Sequence, residues 1–283
     1  MAARVQSKAV RATGETAVAS LAMYDLPEVR AATDAWWRGL AAAFRREGIA
    51  EVPDRLDRET GHHEVCLRPD LLFAQTCGYP LTHALAGRVA LVATPGYAAE
   101  GCAGASYCSF IVVADGNPAT TIVDLRGARC AVNAADSQSG YSALRAAVAP
   151  HARDERFFSS VAVSGSHVAS LQLVATGAVD VAAIDCVTHA LVARYRPAGL
   201  EGTRVLARTM PAPGLPYVTR GDAGDDRIAR LRAGLQRAFA DPQLEPARAA
   251  LLLTAVAVLP LAAYDRIVAI EKDAVAAGYP TVA

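Results

Sequence analysis

Eight short apolar runs punctuate the chain: AVASLAM (17–23), DLLFAQ (70–75), VALVAT (89–94), FIVVA (110–114), ARCAVN (128–133), SVAV (160–163), VAAI (181–184) and TRVLA (203–207). Each is too short for a helix and most are rich in β-branched residues, which reads as strand. Between them the period changes to that of a helix. Val29, Ala32, Trp36, Leu40, Ala43 and Phe44 share one face of a helix that starts at Pro27, where a missing N–H costs nothing. Further helices are predicted over about 141–148, over 167–176 ending at Gly177, around Ile228, Leu231, Leu235 and Phe239, and from about 246 and 261. Strands alternating with helices predict an α/β fold with largely parallel sheets. Of the pair Trp36-Trp37, one ring is expected in the core and the other at the surface. The longest apolar run, LLLTAVAVLPLAA (251–263), is broken by Pro260 and falls short of the roughly 18–20 residues of a membrane span. It reads as a buried helix and its turn.

Two turn-rich joints divide this alternation, DGNPATTIVDLRG (115–127) and RPAGLEGTR (196–204). They predict a first lobe over 17–109, a second over 110–204, and a return over 205–283 whose strand and helices complete the first. Such an arrangement has a hinge of crossing strands and a cleft between lobes. Lys+Arg and Asp+Glu balance at 28 each, so there is no basic footprint for nucleic acid. Hydrophobic residues at 53% exclude a disordered chain. Six cysteines form no CxxC pair and no zinc-finger spacing. Arg4, Lys8 and Arg11 are followed by a strand-like run instead of a signal-peptide core, so the expectation is a cytoplasmic start or a leader lying outside this sequence.

In open parallel sheets, ligands sit at the carboxyl ends of strands. The residues there include Met23, Tyr24 and Asp25; Thr76, Cys77 and Tyr79; Tyr107 and Cys108; Ser137, Gln138, Ser139, Gly140 and Tyr141; Ser166 and His167; and Asp185 and Cys186. Hydroxyls and small residues dominate, and lysine and arginine are missing. Helix N-termini with serine hydroxyls suit a compact oxyanion, because free N–H groups and the dipole both favour negative charge. DSQSG and SGSH are two such openings in one predicted lobe. Either alone is an ordinary helix cap. Ser166 and His167 are adjacent, so their side chains diverge, and no G-x-S-x-G elbow frames them as a hydrolase. His62-His63 lies in a polar loop and reads as solvated. Cys130 alternates with apolar strand residues and reads as core.

These motifs resemble the PhnD-like family of substrate-binding proteins of phosphate, phosphite and phosphonate ABC transporters. The matching stretches are ASLAMYDLPEVRAATDAWW, PDLLFAQTCGYPL, SYCSFIVVADGNP, DLRGARCAVNAADSQSGYSALR, SGSHVASLQLVATGAVDVAAIDCVTHALVAR and PAPGLPYVT, which span about 19–280. The resemblance implies a two-lobed type II periplasmic binding protein that closes on a small anion and presents it to a permease. It implies no cofactor, no catalytic residue, no membrane span and a monomer in the periplasm. By position, the serines of DSQSGY and the GSH turn correspond to the anion cradle, with Tyr24 and the Thr76–Cys77 loop closing over it. Phosphonate binders of the family often place an acidic residue after the histidine of the second turn, where this chain has Val168. That leaves the ligand open, with Asp185 suited to a cationic or hydroxyl group and opposed to a fully ionised phosphate. In an exported protein, Cys77 and Cys102 would form a disulfide. The alternatives are a cytoplasmic enzyme or sensor using cleft Cys and His residues, and a binding lobe for a small heterocycle or amino acid derivative held by Tyr24, Tyr79 and Tyr107.

Overall fold

The structure, a computed structural model, describes residues 17–283; the basic positions Arg4, Lys8 and Arg11 lie outside the described residues. In chain order the elements are β1 (Val18–Ser20), α1 (Arg30–Arg46), α2 (His62–Cys66), β2 (Leu71–Gln75), α3 (Gly78–Thr82), β3 (Val89–Tyr97), β4 (Ser106–Tyr107) and β5 (Ser109–Ala114). There follow β6 (Arg129–Val132), a π-helical turn (Gln138–Ser142) leading into α4 (Ala143–Val148), β7 (Ser160–Val163), α5 (His167–Ala175), β8 (Val181–Asp185), α6 (Cys186–Tyr195) and β9 (Thr203–Arg208). The chain ends with β10 (Ala212–Pro213), β11 (Tyr217–Arg220), α7 (Asp225–Ala240), α8 (Glu245–Ala250), β12 (Leu253–Ala257) and α9 (Asp265–Ala276).

Two five-stranded sheets carry the fold, ordered β1-β2-β11-β3-β12 and β7-β6-β8-β5-β9, with β4 and β10 pairing as a short ribbon. The α/β architecture follows the sequence pattern, but both sheets are mixed, not largely parallel. In the second sheet β7, β6 and β8 are mutually parallel, while β5 runs against both β8 and β9. The reason is directional. The strands β6, β7 and β8 end at the openings that carry the serines and Asp185. A strand arriving from the first sheet enters at that edge and must run the other way. β11 re-enters the first sheet in the same sense, antiparallel to β2 and β3. β9, whose last residues the sequence pattern gives to the return segment, hydrogen-bonds β5 along its length and is an edge of the second sheet.

Period-2 alternation sorts the second sheet's side chains onto two faces. Ile111, Val113, Cys130 and Val132 point into one hydrophobic cluster, and Phe110, Val112 and Ala131 into another that extends into the first lobe. The first lobe is built on rings: Phe73 of β2 lies 5.3 Å from Phe44 and 4.9 Å from Tyr217, centroid to centroid. Both Trp36 and Trp37 are buried, correcting the expectation of one surface ring. Trp37 is covered because the segment after α1 folds back over it, and its Nε1 donates to the Pro53 carbonyl at 3.2 Å. The run 251–263 is not a helix. Leu253–Ala257 is an edge strand antiparallel to β3, entered through Leu252 in the left-handed region (φ 58°). Short apolar runs cannot be assigned by periodicity alone, and here the β-branched Thr254 and Val256 decided for strand.

The C-terminal segment reaches both sheets. Ile267 and Ile270 of α9 belong to the first cluster, whereas Ala274, Tyr279 and Val282 belong to the second. The Ala283 oxygen accepts from the backbone N–H groups of Phe157 and Phe158 at 2.8 and 2.9 Å.

Candidate functional site

The strand ends of both sheets converge on a cavity of about 290 Å³. From the second lobe come Asn133, Asp136, Ser137, Ser139, Gly165, Ser166, His167, Val168, Asp185, Thr188 and Leu191; from the first come Met23, Tyr24, Asp25, His62, His63, Cys77 and Pro80. Among the described residues, no lysine or arginine lines it.

The DSQSG opening is wound as a π-turn, with the Ser142 N–H donating to the Ser137 carbonyl at 2.9 Å. That extra residue in the turn brings Ser137 and Ser139 to the same side, their Oγ atoms 3.5 Å apart. Ser137 is a cap, its Oγ accepting from the Gly140 N–H at 3.0 Å, yet its hydroxyl proton stays available to a ligand. Ser139 Oγ stands 2.8 Å from His167 Nε2, and its carbonyl accepts from Ser109 Oγ at 2.9 Å. Gly140 is required by close approach: a Cβ there would collide with the Asn133 side chain and press on the His167 ring. Asn133 Oδ1 is buried beside the cavity without a partner among the described residues. The SGSH opening is a second cap, Ser166 Oγ accepting from the Ala169 N–H at 3.1 Å. The serine that meets His167 is therefore Ser139, not its neighbour Ser166.

Asp185 ends β8 and caps α6, accepting from the N–H groups of Val187 and Thr188 at 2.8 and 3.0 Å. Its other oxygen accepts from Tyr24 Oη at 2.9 Å, a bond between the lobes. Burial pushes the carboxyl up to about 6, although those donors favour its charged form. Burial also lowers His167 to about 4, leaving it neutral at physiological pH. A neutral imidazole with so low a pKa is a weak base for activating Ser139, and no carboxylate hydrogen-bonds it among the described residues. Cys77 is a poor nucleophile too, since burial raises its pKa and its Sγ accepts from the Gln138 N–H at 3.4 Å.

Of the residues expected from sequence, Tyr24, Cys77, Ser137, Ser139, Ser166, His167 and Asp185 line the cavity. Thr76 is buried one residue behind Cys77, its N–H donating to the Pro216 carbonyl. Gly140 sits beneath the serines. Gln138 and Tyr107 border a separate gap on the far side of Ser139, and Tyr141 turns away to accept from the Val282 N–H at 3.1 Å. Cys77 and Cys102 do not approach as a pair: Cys102 Sγ stands 3.5 Å from Cys186 Sγ, and all six cysteines are free. His62 and His63 lie in α2, not in a loop; His62 is exposed as expected, and His63 is half-buried. They line the cavity edge to edge, centroids 4.6 Å apart, and His63 Nε2 lies 3.1 Å from Asp136 of the other lobe. Asn133, Thr188 and Leu191 were also missed. Asn133, directly after ARCAVN's valine, was visible as the first polar residue past a strand; Thr188 and Leu191 lie inside α6 and carried no such signal.

Residues 68–258 match the family described as ABC transporter, phosphonate, periplasmic substrate-binding protein. A search of curated proteins finds no match. Among solved structures, the chain is similar to PhnD1 from Prochlorococcus marinus in complex with methylphosphonate, at 14% identity and TM-score 0.74, over 91% of this chain and 97% of that one. It is also similar to PA3383 from Pseudomonas aeruginosa, a binding protein component of an ABC phosphonate transporter, at 15% identity and TM-score 0.74 over 94% and 88%. XAC2383 from Xanthomonas citri, bound to ATP, aligns at 17% identity and TM-score 0.68 over 93% and 98%. At these identities the likeness is one of fold.

Proposed function

This chain belongs to the family of periplasmic substrate-binding proteins of phosphonate ABC transporters, and from that premise we propose that it captures a small phosphonate- or phosphite-class oxyanion between its two lobes and delivers it to a membrane permease. The observation that carries this reading is the convergence of Ser137, Ser139 and Ser166 with Tyr24 on one cavity that, among the described residues, no lysine or arginine side chain lines. Neutral donors must then hold the ligand's charge. Charge-assisted hydrogen bonds contribute roughly 1.5–3 kcal/mol each, so a handful supports micromolar binding after association costs.

Asp185 refines the ligand. A carboxylate facing an anion favours one that keeps a proton to donate, so a monoanion suits the site better than a fully ionised one. Because Tyr24 and His63 reach across to Asp185 and Asp136, ligand binding and lobe closure draw on the same contacts. The ligand shifts the open–closed population by its greater affinity for the closed form. The neutral His167 and the raised Cys77 thiol support binding over covalent catalysis. The described residues contain no helix long and apolar enough to cross a membrane, which fits a partner that carries the ligand to a separate permease.

Thermal unfolding with methylphosphonate, phosphite, phosphate and methanesulfonate tests this. At about 100 times Kd, a true ligand stabilises by roughly 2.7 kcal/mol, a rise of roughly 4–5 °C for a chain of this size. A flat response to all three phosphorus oxyanions would sink the reading.

A further inference from the structure

Three thiols gather where the lobes meet, outside the cavity. Cys102 lies in the loop after β3, which is tied to the first lobe through the Ala98 N–H and the Leu252 carbonyl at 2.7 Å. Cys186 opens α6 of the second lobe, one residue after Asp185, and is fully buried. Their sulfurs are 3.5 Å apart, in van der Waals contact. Cys108, at the start of the crossing strand, accepts the Cys186 N–H on its carbonyl at 3.1 Å. Gly101 lets the three close up. It has φ +90°, and a Cβ there would stand 2.8 Å from Cys108 Sγ and 3.0 Å from Cys186 Cβ.

We propose that Cys102 and Cys186 are a disulfide-forming pair, oxidised by exchange with an external disulfide, that ties the first-lobe loop after β3 to α6, the helix that Asp185 caps. A bond length of about 2.05 Å asks each sulfur to move less than an ångström, within reach of side-chain rotation. Cys102 is half-exposed and is the entry point. Its thiolate attacks the external disulfide RSSR, forming Cys102–S–SR and releasing RS⁻. The Cys186 thiolate then attacks the Cys102 sulfur and releases the second RS⁻. The two protons lost by the cysteines end on the two RSH, so two protein thiols are oxidised and one disulfide is reduced. The closed loop spans 84 residues, including the crossing strand β5 and most of the second sheet. The tie limits how far the lobes separate at the Tyr24–Asp185 contact.

The test uses the full chain, reduced and then incubated with oxidised glutathione, alkylated, and peptide-mapped without reductant. A linked 102–186 peptide is expected, along with the loss of two titratable thiols. The melting temperature should rise by about 5 °C or more, reversibly with dithiothreitol. Cys108→Ser should keep the link and Cys102→Ser, at a half-exposed position that tolerates substitution, should lose it. The oxidised protein should also have a smaller ligand-free radius of gyration by X-ray scattering than oxidant-treated Cys102→Ser. Glutathione left attached at Cys102, or a link from Cys102 to Cys77 or Cys108, would overturn the pairing; equal radii would overturn the tie. None of these readouts depends on the oxyanion, so they stand or fall apart from ligand binding.

Discussion

Two of the contacts between the lobes are built on opposite principles. At the cavity, the bonds across are single and interruptible: Tyr24 to Asp185 at 2.9 Å and His63 to Asp136 at 3.1 Å. At the rear, Glu271 of α9 accepts from Arg145 of α4 at 2.9 Å and from Tyr79 of α3 at 2.7 Å, and pairs with His83 at 2.7 Å. Arg145, 5% exposed, also donates to the Pro280 carbonyl at 2.7 Å. Burial alone would raise the Glu271 carboxyl, but its donors outweigh that and hold it below the usual carboxylate range. Asp185, with three donors of its own but none of them a guanidinium, is buried more deeply and is pushed up to about 6. The same residue class thus serves as a satisfied anchor in one junction and as a costly, poised group in the other. A binding protein needs both, one contact that persists and one that a ligand can renegotiate.

The sharpest way to break the contrast is to remove the anchor. Glu271→Ala leaves the Arg145 guanidinium buried with one carbonyl partner, and urea denaturation should show a loss of about 2–4 kcal/mol. A loss under about 0.5 kcal/mol would mean the rear junction is no anchor.

Asp185→Asn keeps the shape and removes the poised charge. The carboxyl's folded pKa of about 6 lies above its unfolded value, so the stability it gives is full below about 4 and is lost as pH rises through 6. At pH 7.5 the variant should therefore gain about 1–3 kcal/mol. His167 has the opposite sign: its folded pKa of about 4 lies below the ordinary value, so its contribution is full above about 6.5 and is lost as pH falls towards 4. In the wild type the two slopes oppose each other over that interval. Asp185→Asn should leave a protein that weakens more steeply in acid, and His167→Asn one that weakens less. An unchanged acid profile in both would mean the lobes stand apart in solution and water already reaches these groups. The smallest effect is expected for His63→Ala. Its pair with Asp136 is partly solvated, so stability should change by less than about 1 kcal/mol, while the rate of ligand release rises.

Most of the strands and the two serine openings were legible because short β-branched runs and the residues directly after them carry local signals. Strand sense was not, since it depends on which edge of a sheet the chain enters. The strand Leu253–Ala257 hid inside an apolar run, and Trp37 was covered by a loop whose path no periodicity records. At the site, His63 of a tandem histidine looked solvated until α2 placed it against Asp136, while His62 beside it is exposed. The partner of His167 proved to be Ser139, 28 residues earlier, because β6 and β7 are neighbours in the sheet. Contacts of this kind are products of topology, and only the fold reveals them.

The most direct test of the central claim is calorimetric titration of methylphosphonate and phosphite into the wild type and into the double variant Ser137→Ala/Ser139→Ala. Two lost charge-assisted hydrogen bonds correspond to about 3–6 kcal/mol, so micromolar binding to the wild type should fall beyond detection in a variant whose melting curve stays cooperative. Binding of the same affinity in both proteins would contradict the placement of the oxyanion on the second lobe's serines.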